Sequence, residues 1–205
     1  MTAPLVIACG ALASELRAVL RAQSLADAVE VTYLPANLHN RPERIVPELE
    51  PLLEQAAAQG RSVFIGYADC GTGGALDALL ERHPEATRLP GDHCYEFFSG
   101  TEVFAAMHEE ELGTFFLTDF LAKHFDALLW QGLGLDKHPQ LLEMYFGNYK
   151  RVVLISQTED PSIVDKGRVA AQRLGLEFEH RHVGLEPFTD AVSNAVSIAL
   201  SKRVG

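Results

Sequence analysis

The sequence predicts an α/β fold: a single Rossmann-like three-layer domain on a mainly parallel sheet, with a helical insertion. Three observations carry that expectation. Short β-rich runs alternate with longer stretches of helical period, the order of parallel strands joined by crossover helices. The run "VFIG" is continuously apolar, as a strand covered on both faces requires. The length of 205 residues, 47% of them hydrophobic, suits one medium domain with a substantial core.

Taken in order, "PLVIACG" reads as the first strand and "ALASELRAVLRAQ" as its helix, with Leu12, Leu16, Val19 and Leu20 on one face. "VEVTYLP" is the second strand. After a polar loop, "ANLHNRPER", comes a helix whose apolar positions are Ile45, Leu49, Leu52 and Leu53 and which ends near Gly60. "RSVFIGYADCGTGG" supplies the third strand and its loop, "ALDALLERH" the third helix, and "ATRLPGDHC" a short fourth strand. The pattern then changes. Residues 95–149 read as consecutive helices, with "GTFFLTDF" as a capped helix start and Leu117, Phe120, Leu121, His124, Leu128 and Leu129 on one face. This is the expected insertion. "RVVLISQTED" and "LEFEHRHVG" restore the strand rhythm around the helix "SIVDKGRVAAQRLG", and "FTDAVSNAVSIALSKR" closes the chain. There is no internal repeat, low-complexity tract or linker, so one domain is expected over 1–205.

Charge and cysteine usage narrow the function. The formal net charge is −11 and the 17 Lys and Arg are scattered, which argues against nucleic acid and anionic lipid as partners. The opening "MTAPLVIACG" is not a charged n-region leading into an apolar h-region, and no apolar run approaches bilayer length, so a soluble cytoplasmic protein is expected. Three cysteines are an odd number for a disulfide framework; reduced thiols, metal ligands or a nucleophile fit better.

Cys9 ends the first strand, Cys70 ends the third and Cys94 lies just after the fourth. All three therefore belong at the carboxyl edge of the sheet, where open parallel sheets bind ligands. No C-x-x-C spacing is present, so the inference rests on topology. Glycine at Gly10 and in "CGTGG" lets backbone amides approach a ligand, which makes Gly10, Gly71, Thr72 and Gly73 candidate cofactor-binding residues. The helix after each loop is expected to lower the thiol pKa. Neither a P-loop nor a dinucleotide fingerprint is present. Any one of these cysteines alone would read as a small buried hydrophobe. Three thiolates at one edge would instead bind metal and leave one coordination position open, suiting a [4Fe-4S] cluster or, alternatively, Zn2+.

Other polar residues fall on the same edge. His39 and Arg41 follow the second strand, and His93 and Glu96 flank Cys94; these four are the candidate catalytic residues for a small-molecule substrate. Asp69, beside Cys70, is placed to orient a base, and helix capping or surface pairing is the competing use of such side chains. Trp130, Tyr145, Phe146 and Tyr149 suit a lid, a partner surface or interhelical packing. No G-x-S-x-G elbow or H-E-x-x-H pair supports a common hydrolase or zincin template.

The blocks "VIACGAL", "TYLPANLHNRPERI", "YADCGTGG", "GDHCYEFFSG", "GTFFLTDFLAKHFD", "GLGLDKHP" and "MYFGNYKR" together resemble a bacterial and archaeal family known as domain of unknown function 1638, across nearly the whole chain. Members of that family are often encoded near corrinoid-dependent methyltransferases. The resemblance thus implies one-carbon or corrinoid methyl metabolism, with a corrinoid protein or methyltransferase as partner. Three readings follow: a metal-dependent enzyme with lyase or methyltransferase-type chemistry, a non-catalytic accessory protein of a corrinoid methyltransferase system, and a metal-free enzyme with Cys70 as nucleophile and His39 or His93 as its base.

Overall fold

The computed structural model describes residues 2–202. In chain order the elements are β1 (Leu5–Cys9), α1 (Ala13–Ala22), β2 (Glu30–Leu34), α2 (Ile45–Ala58), β3 (Val63–Gly66), α3 (Ala75–Leu80), β4 (Ala86–Arg88) and α4 (Cys94–Ser99). They continue with α5 (Thr101–Glu110), β5 (Thr114–Thr118), α6 (Asp119–Lys123), α7 (Leu141–Phe146), β6 (Arg151–Ser156), α8 (Pro161–Leu174), β7 (Glu177–His182) and α9 (Glu186–Ser201). The fold is α/β with parallel strands, as the sequence predicts, and is compatible with a Rossmann-like arrangement. Its strands form two parallel sheets, and the chain divides into two compact units. The first runs to Phe97 and resumes at Pro187; the second is Phe98–Glu186.

In the first unit the strand order is β2-β1-β3-β4, all parallel. The inner strands β1 and β3 are buried at every position, which is why their runs are apolar without alternation. The outer strand β2 is half-exposed. Helix α1 buries Leu16, Val19 and Leu20, and α2 buries Ile45, Leu49, Leu53 and Ala56. Helix α9 buries Phe188, Val192, Val196 and Ala199. The Phe188 ring lies 5.6 Å from that of Phe97, and Ser62 Oγ donates to the Ala199 carbonyl at 2.6 Å. The order matters for the site: from β1 the chain crosses to one side for β2, then returns past β1 for β3. Connections leaving the carboxyl ends of β1 and β3 therefore run to opposite sides of the strand order, the kind of switch point at which open parallel sheets bind ligands.

The second unit corrects the expected helical insertion over 95–149. Within that stretch "TFFLT" is a strand, β5, paired in parallel with β6 from Thr114 opposite Arg151 to Thr118 opposite Ile155. The helical spacing of Leu117, Phe120 and Leu121 arises where the end of a buried strand joins the five-residue helix α6. Two helices precede the strand, and α6, a π-helical turn at Asp126–Trp130 and α7 follow it. β6 and β7 then extend this sheet in the order β5-β6-β7. Helix α8 packs closely on it, because a Cβ at Gly167 would lie 3.0 Å from the Phe178 ring and 3.1 Å from the Leu154 side chain. Among the described residues no helix is long and apolar enough to cross a membrane.

Candidate functional site

At the carboxyl edge of the first sheet the backbone brings the three cysteine-bearing loops together. Cys9 ends β1 and caps the following short turn, its Sγ accepting from the Ala11 amide at 3.4 Å. Gly10 is needed there, since a Cβ would stand 2.9 Å from the Leu34 carbonyl oxygen and 3.2 Å from the Ala36 nitrogen. The loops after β1 and β2 approach too closely for any side chain. The loop after β3 is stitched to the loop after β4 by Asp69 N donating to Gly91 O at 3.1 Å and Cys70 N to Asp92 O at 2.8 Å. Those two bonds carry Cys70 to Cys94, the first residue of α4. They also hold Cys70 at φ +51°, a left-handed conformation that costs a residue bearing a Cβ roughly 1 kcal/mol or more.

The thiols sense one another. Burial, the neighbouring Cys9 charge and Asp69 push Cys70 up to about 12, against backbone hydrogen bonds from Ala68 and Cys94 that favour its thiolate. Burial likewise raises Cys9, opposed by the Ala11 amide and Tyr67. It raises Cys94 well above the ordinary value, with Cys70 and Cys9 adding to the shift. The expected lowering by helix N-termini is therefore corrected: α3 begins only at Ala75 and is six residues long, so burial and mutual repulsion prevail at Cys70.

The glycine loop also differs from expectation. Asp69 takes the donors that a ligand would need: Thr72 Oγ1 donates to its Oδ1 at 2.6 Å, Gly73 N to its Oδ2 at 3.0 Å and Gly74 N to its Oδ1 at 2.9 Å. Thr72 Oγ1 in turn accepts from Leu76 N at 3.3 Å. Thr72 and Gly73 thus serve the loop itself, and Asp69 clasps that loop rather than orienting a base. Burial works against the Asp69 charge, but the bonds from Thr72, Gly74 and Gly73 and the charge of Arg88 hold its carboxyl below its usual range. Gly71, at φ +83°, lies under the Pro42 ring, 3.4 Å from where its Cβ would be, which brings the 39–42 segment beside Cys70.

The candidate acid–base residues divide. Burial and the charge of His93 lower His39, so these two imidazoles are electrostatic neighbours, and both keep exposed surface. Glu96 instead caps α4, its Oε1 accepting from Asp92 N at 2.7 Å and His93 N at 3.1 Å. Arg41 is exposed on the turn before α2.

Two residues that the sequence reading passed over belong to the site. Tyr67 is only 2% exposed, and burial followed by the Cys9 and Cys70 charges raises its pKa. Its hydroxyl is close enough to Cys9 to bias that thiol but lies outside normal hydrogen-bond geometry, so it is a buried hydroxyl with no partner. Arg88 grips Asp77 through two bonds of 2.6 and 2.9 Å, donates to the Leu89 and Gly91 carbonyls, and stands within electrostatic range of Cys70. A tyrosine directly after an apolar strand, three residues before a cysteine, was the available signal for Tyr67; Arg88 gave none beyond its place at the end of a short strand. Among the described residues no group of three or more His, Cys, Asp or Glu stands ready to hold a metal ion.

The aromatic candidates lie in the second unit. Trp130 stacks under Arg173 at 4.0 Å, Phe146 packs edge-on to Phe115 at 5.2 Å, and Tyr149 meets the same Phe115 ring at 5.7 Å. Tyr145 is exposed. In that unit Thr118 caps α6 through Leu121 N, and buried Asp119 accepts from Gln157 N, Thr158 N and Thr158 Oγ1.

No curated protein and no solved structure shows a significant match to the chain. A family model matches residues 33–192, a stretch that holds Cys70, Cys94, His39 and Tyr67 and begins after Cys9. By that match the chain belongs to the family described as Protein of unknown function (DUF1638).

Proposed function

We propose that the first unit is a metal-binding enzyme domain in which Cys9, Cys70 and Cys94 hold a [4Fe-4S] cluster with one open position, with Zn2+ as the alternative, for a small-molecule substrate. The observation that carries this reading is that three free thiols, delivered by the loops after β1, β3 and β4, lie within electrostatic range at one sheet edge, with the buried Tyr67 hydroxyl beside Cys9 and Cys70. Burial makes each thiol resist ionisation, the Cys9 charge adds to this at Cys70, and both Cys70 and Cys9 add to it at Cys94. A bound cation reverses that logic, since ligating thiols deprotonate outright. Bound there, the group would supply Lewis-acid or electron-transfer chemistry to a ligand at its open position.

The remaining residues serve that site. Tyr67 offers a hydroxyl beside Cys9 and Cys70, and His39, whose pKa burial and His93 lower, offers a proton acceptor. Gly10 and the Asp69 clasp fix the loops that carry Cys9 and Cys70. A corrinoid protein or methyltransferase as partner belongs to the same proposal and rests on the family resemblance alone. The metal-free nucleophile reading is disfavoured, because a Cys70 thiol titrating near 12 is almost wholly protonated at neutral pH.

The test is elemental analysis for iron, sulfide and zinc with a visible spectrum on protein purified without oxygen, repeated for each single Cys→Ser variant. Iron and sulfide in about equal amounts, or about one zinc per chain, lost in each variant, is the expected outcome. Full metal retained by all three variants, or no metal in the parent, would overturn the proposal.

A further inference from the structure

The second unit contains an imidazole cluster that the thiol site does not use. β7 is an outer strand of its sheet, with Leu154 opposite His180 and Ser156 opposite His182. Residues two apart on a strand share a face, so the two imidazoles stand side by side with Ser156 next to them. Ser156 Oγ lies 2.8 Å from His180 Nε2 and 3.1 Å from His182 Nδ1. The serine is fully buried, while both histidines are exposed.

One hydroxyl fixes both rings, and the way it does so is specific. It has a single proton, so at most one imidazole can accept from it, and an imidazole that does not accept donates its N–H to the hydroxyl oxygen. Adjacent ligands of a six-coordinate ion with bonds of about 2.1 Å are about 3.0 Å apart, which is the hydroxyl-to-nitrogen spacing found here. The neighbouring cation does not compete for the space: Arg181, on the alternate face, pairs with Glu179 and Glu110.

We propose that His180, His182 and Ser156 form a site for a divalent late transition-metal ion. The two imidazoles are its principal ligands, the hydroxyl is a third neutral donor, and water fills the solvent-facing positions. Imidazole ligands select zinc, nickel, copper or cobalt over magnesium and calcium, which prefer oxygen. Binding needs no oxidant and releases at most the proton shared within the cluster.

The probe is cobalt(II), titrated into the full-length protein without oxygen. Thiolate ligation gives intense sulfur-to-cobalt charge-transfer absorption, whereas imidazole and oxygen ligation gives only weak d–d bands, so the two sites report separately. The expected result is a d–d component that survives Cys70→Ser and disappears in His180→Asn and in His182→Asn, substitutions at exposed positions whose folding circular dichroism verifies. Paramagnetic broadening of the His180 and His182 ring signals in the unaltered protein gives the same answer without a variant. Cobalt binding unchanged by both histidine substitutions, or ring signals that stay sharp, would overturn this site. Absence of the charge-transfer component from the unaltered protein would instead count against the thiol proposal and leave this one standing.

Discussion

Cys70 provides a direct test of whether the loop holds its thiol against local conformational preference. Its φ of +51° lies where a Cβ is penalised, and the conformation is imposed by the Asp69 and Cys70 amide bonds to Gly91 and Asp92. Replacement by alanine and by glycine removes the thiol in both cases, so lost packing and relieved thiol repulsion cancel in the comparison. At an ordinary position glycine is less stable than alanine by roughly 0.5–1 kcal/mol, because it gives up more backbone freedom on folding. The left-handed penalty of roughly 1–2 kcal/mol falls only on alanine. The difference should therefore reverse, with Cys70→Gly more stable than Cys70→Ala by about 0.5–1 kcal/mol. For a chain of this size that is a separation of roughly 1–4 °C in Tm, measurable by scanning the metal-free variants side by side. Alanine equal to or above glycine would refute the argument and mean that the two stitching bonds do not strain the residue.

The other predictions concern charge, close approach and the orphan hydroxyl. Because the folded pKa of Cys70 is raised from 9.0 to about 12, its contribution is fully present below pH 9 and is lost as pH rises through that window, where the unfolded chain ionises first. In metal-free protein Cys70 should account for a loss of up to about 1.4 kcal/mol per pH unit above pH 9 in urea titrations, and Cys70→Ser should reduce the slope by that share, leaving what Cys9 and Cys94 add. Gly10→Ala forces a Cβ to 2.9 Å from the Leu34 carbonyl and should cost at least about 1–3 kcal/mol while lowering metal content; unchanged stability would show that the loops yield freely. Tyr67→Phe removes a buried hydroxyl without a partner and should stabilise the metal-free protein by about 1 kcal/mol, whereas a loss of stability would mean that the hydroxyl is satisfied.

The class of fold was legible because strand and helix periods are local properties, and β1, β3 and β6 announce themselves as apolar runs. β5 was not. "TFFLT" sits between helices, and Leu117, Phe120 and Leu121 lie at spacings that one helix face also produces; only pairing with β6, more than thirty residues away, decides the matter. The position of the cysteines followed from topology, since strand ends on a parallel sheet share an edge. Their ionisation did not follow, because it depends on how deeply each thiol lies and, for Cys70 and Cys94, on neighbouring thiols. Glu96 and Asp69 show the same limit: their types suggest acid–base work, but short-range geometry commits both carboxylates to backbone amides.

That commitment explains why a cysteine is followed by three glycines within four residues. The loop after β3 turns with Cys70, Gly71, Gly73 and Gly74 all at positive φ, wrapping its amides inward around the Asp69 carboxylate. A loop built to cradle an anionic ligand would leave those amides vacant; this one supplies its own anion and closes. The closed loop needs no ligand to hold its shape, so the Cys70 thiol is positioned before any partner arrives. The glycines therefore act through geometry, turning the backbone that holds Cys70 in place.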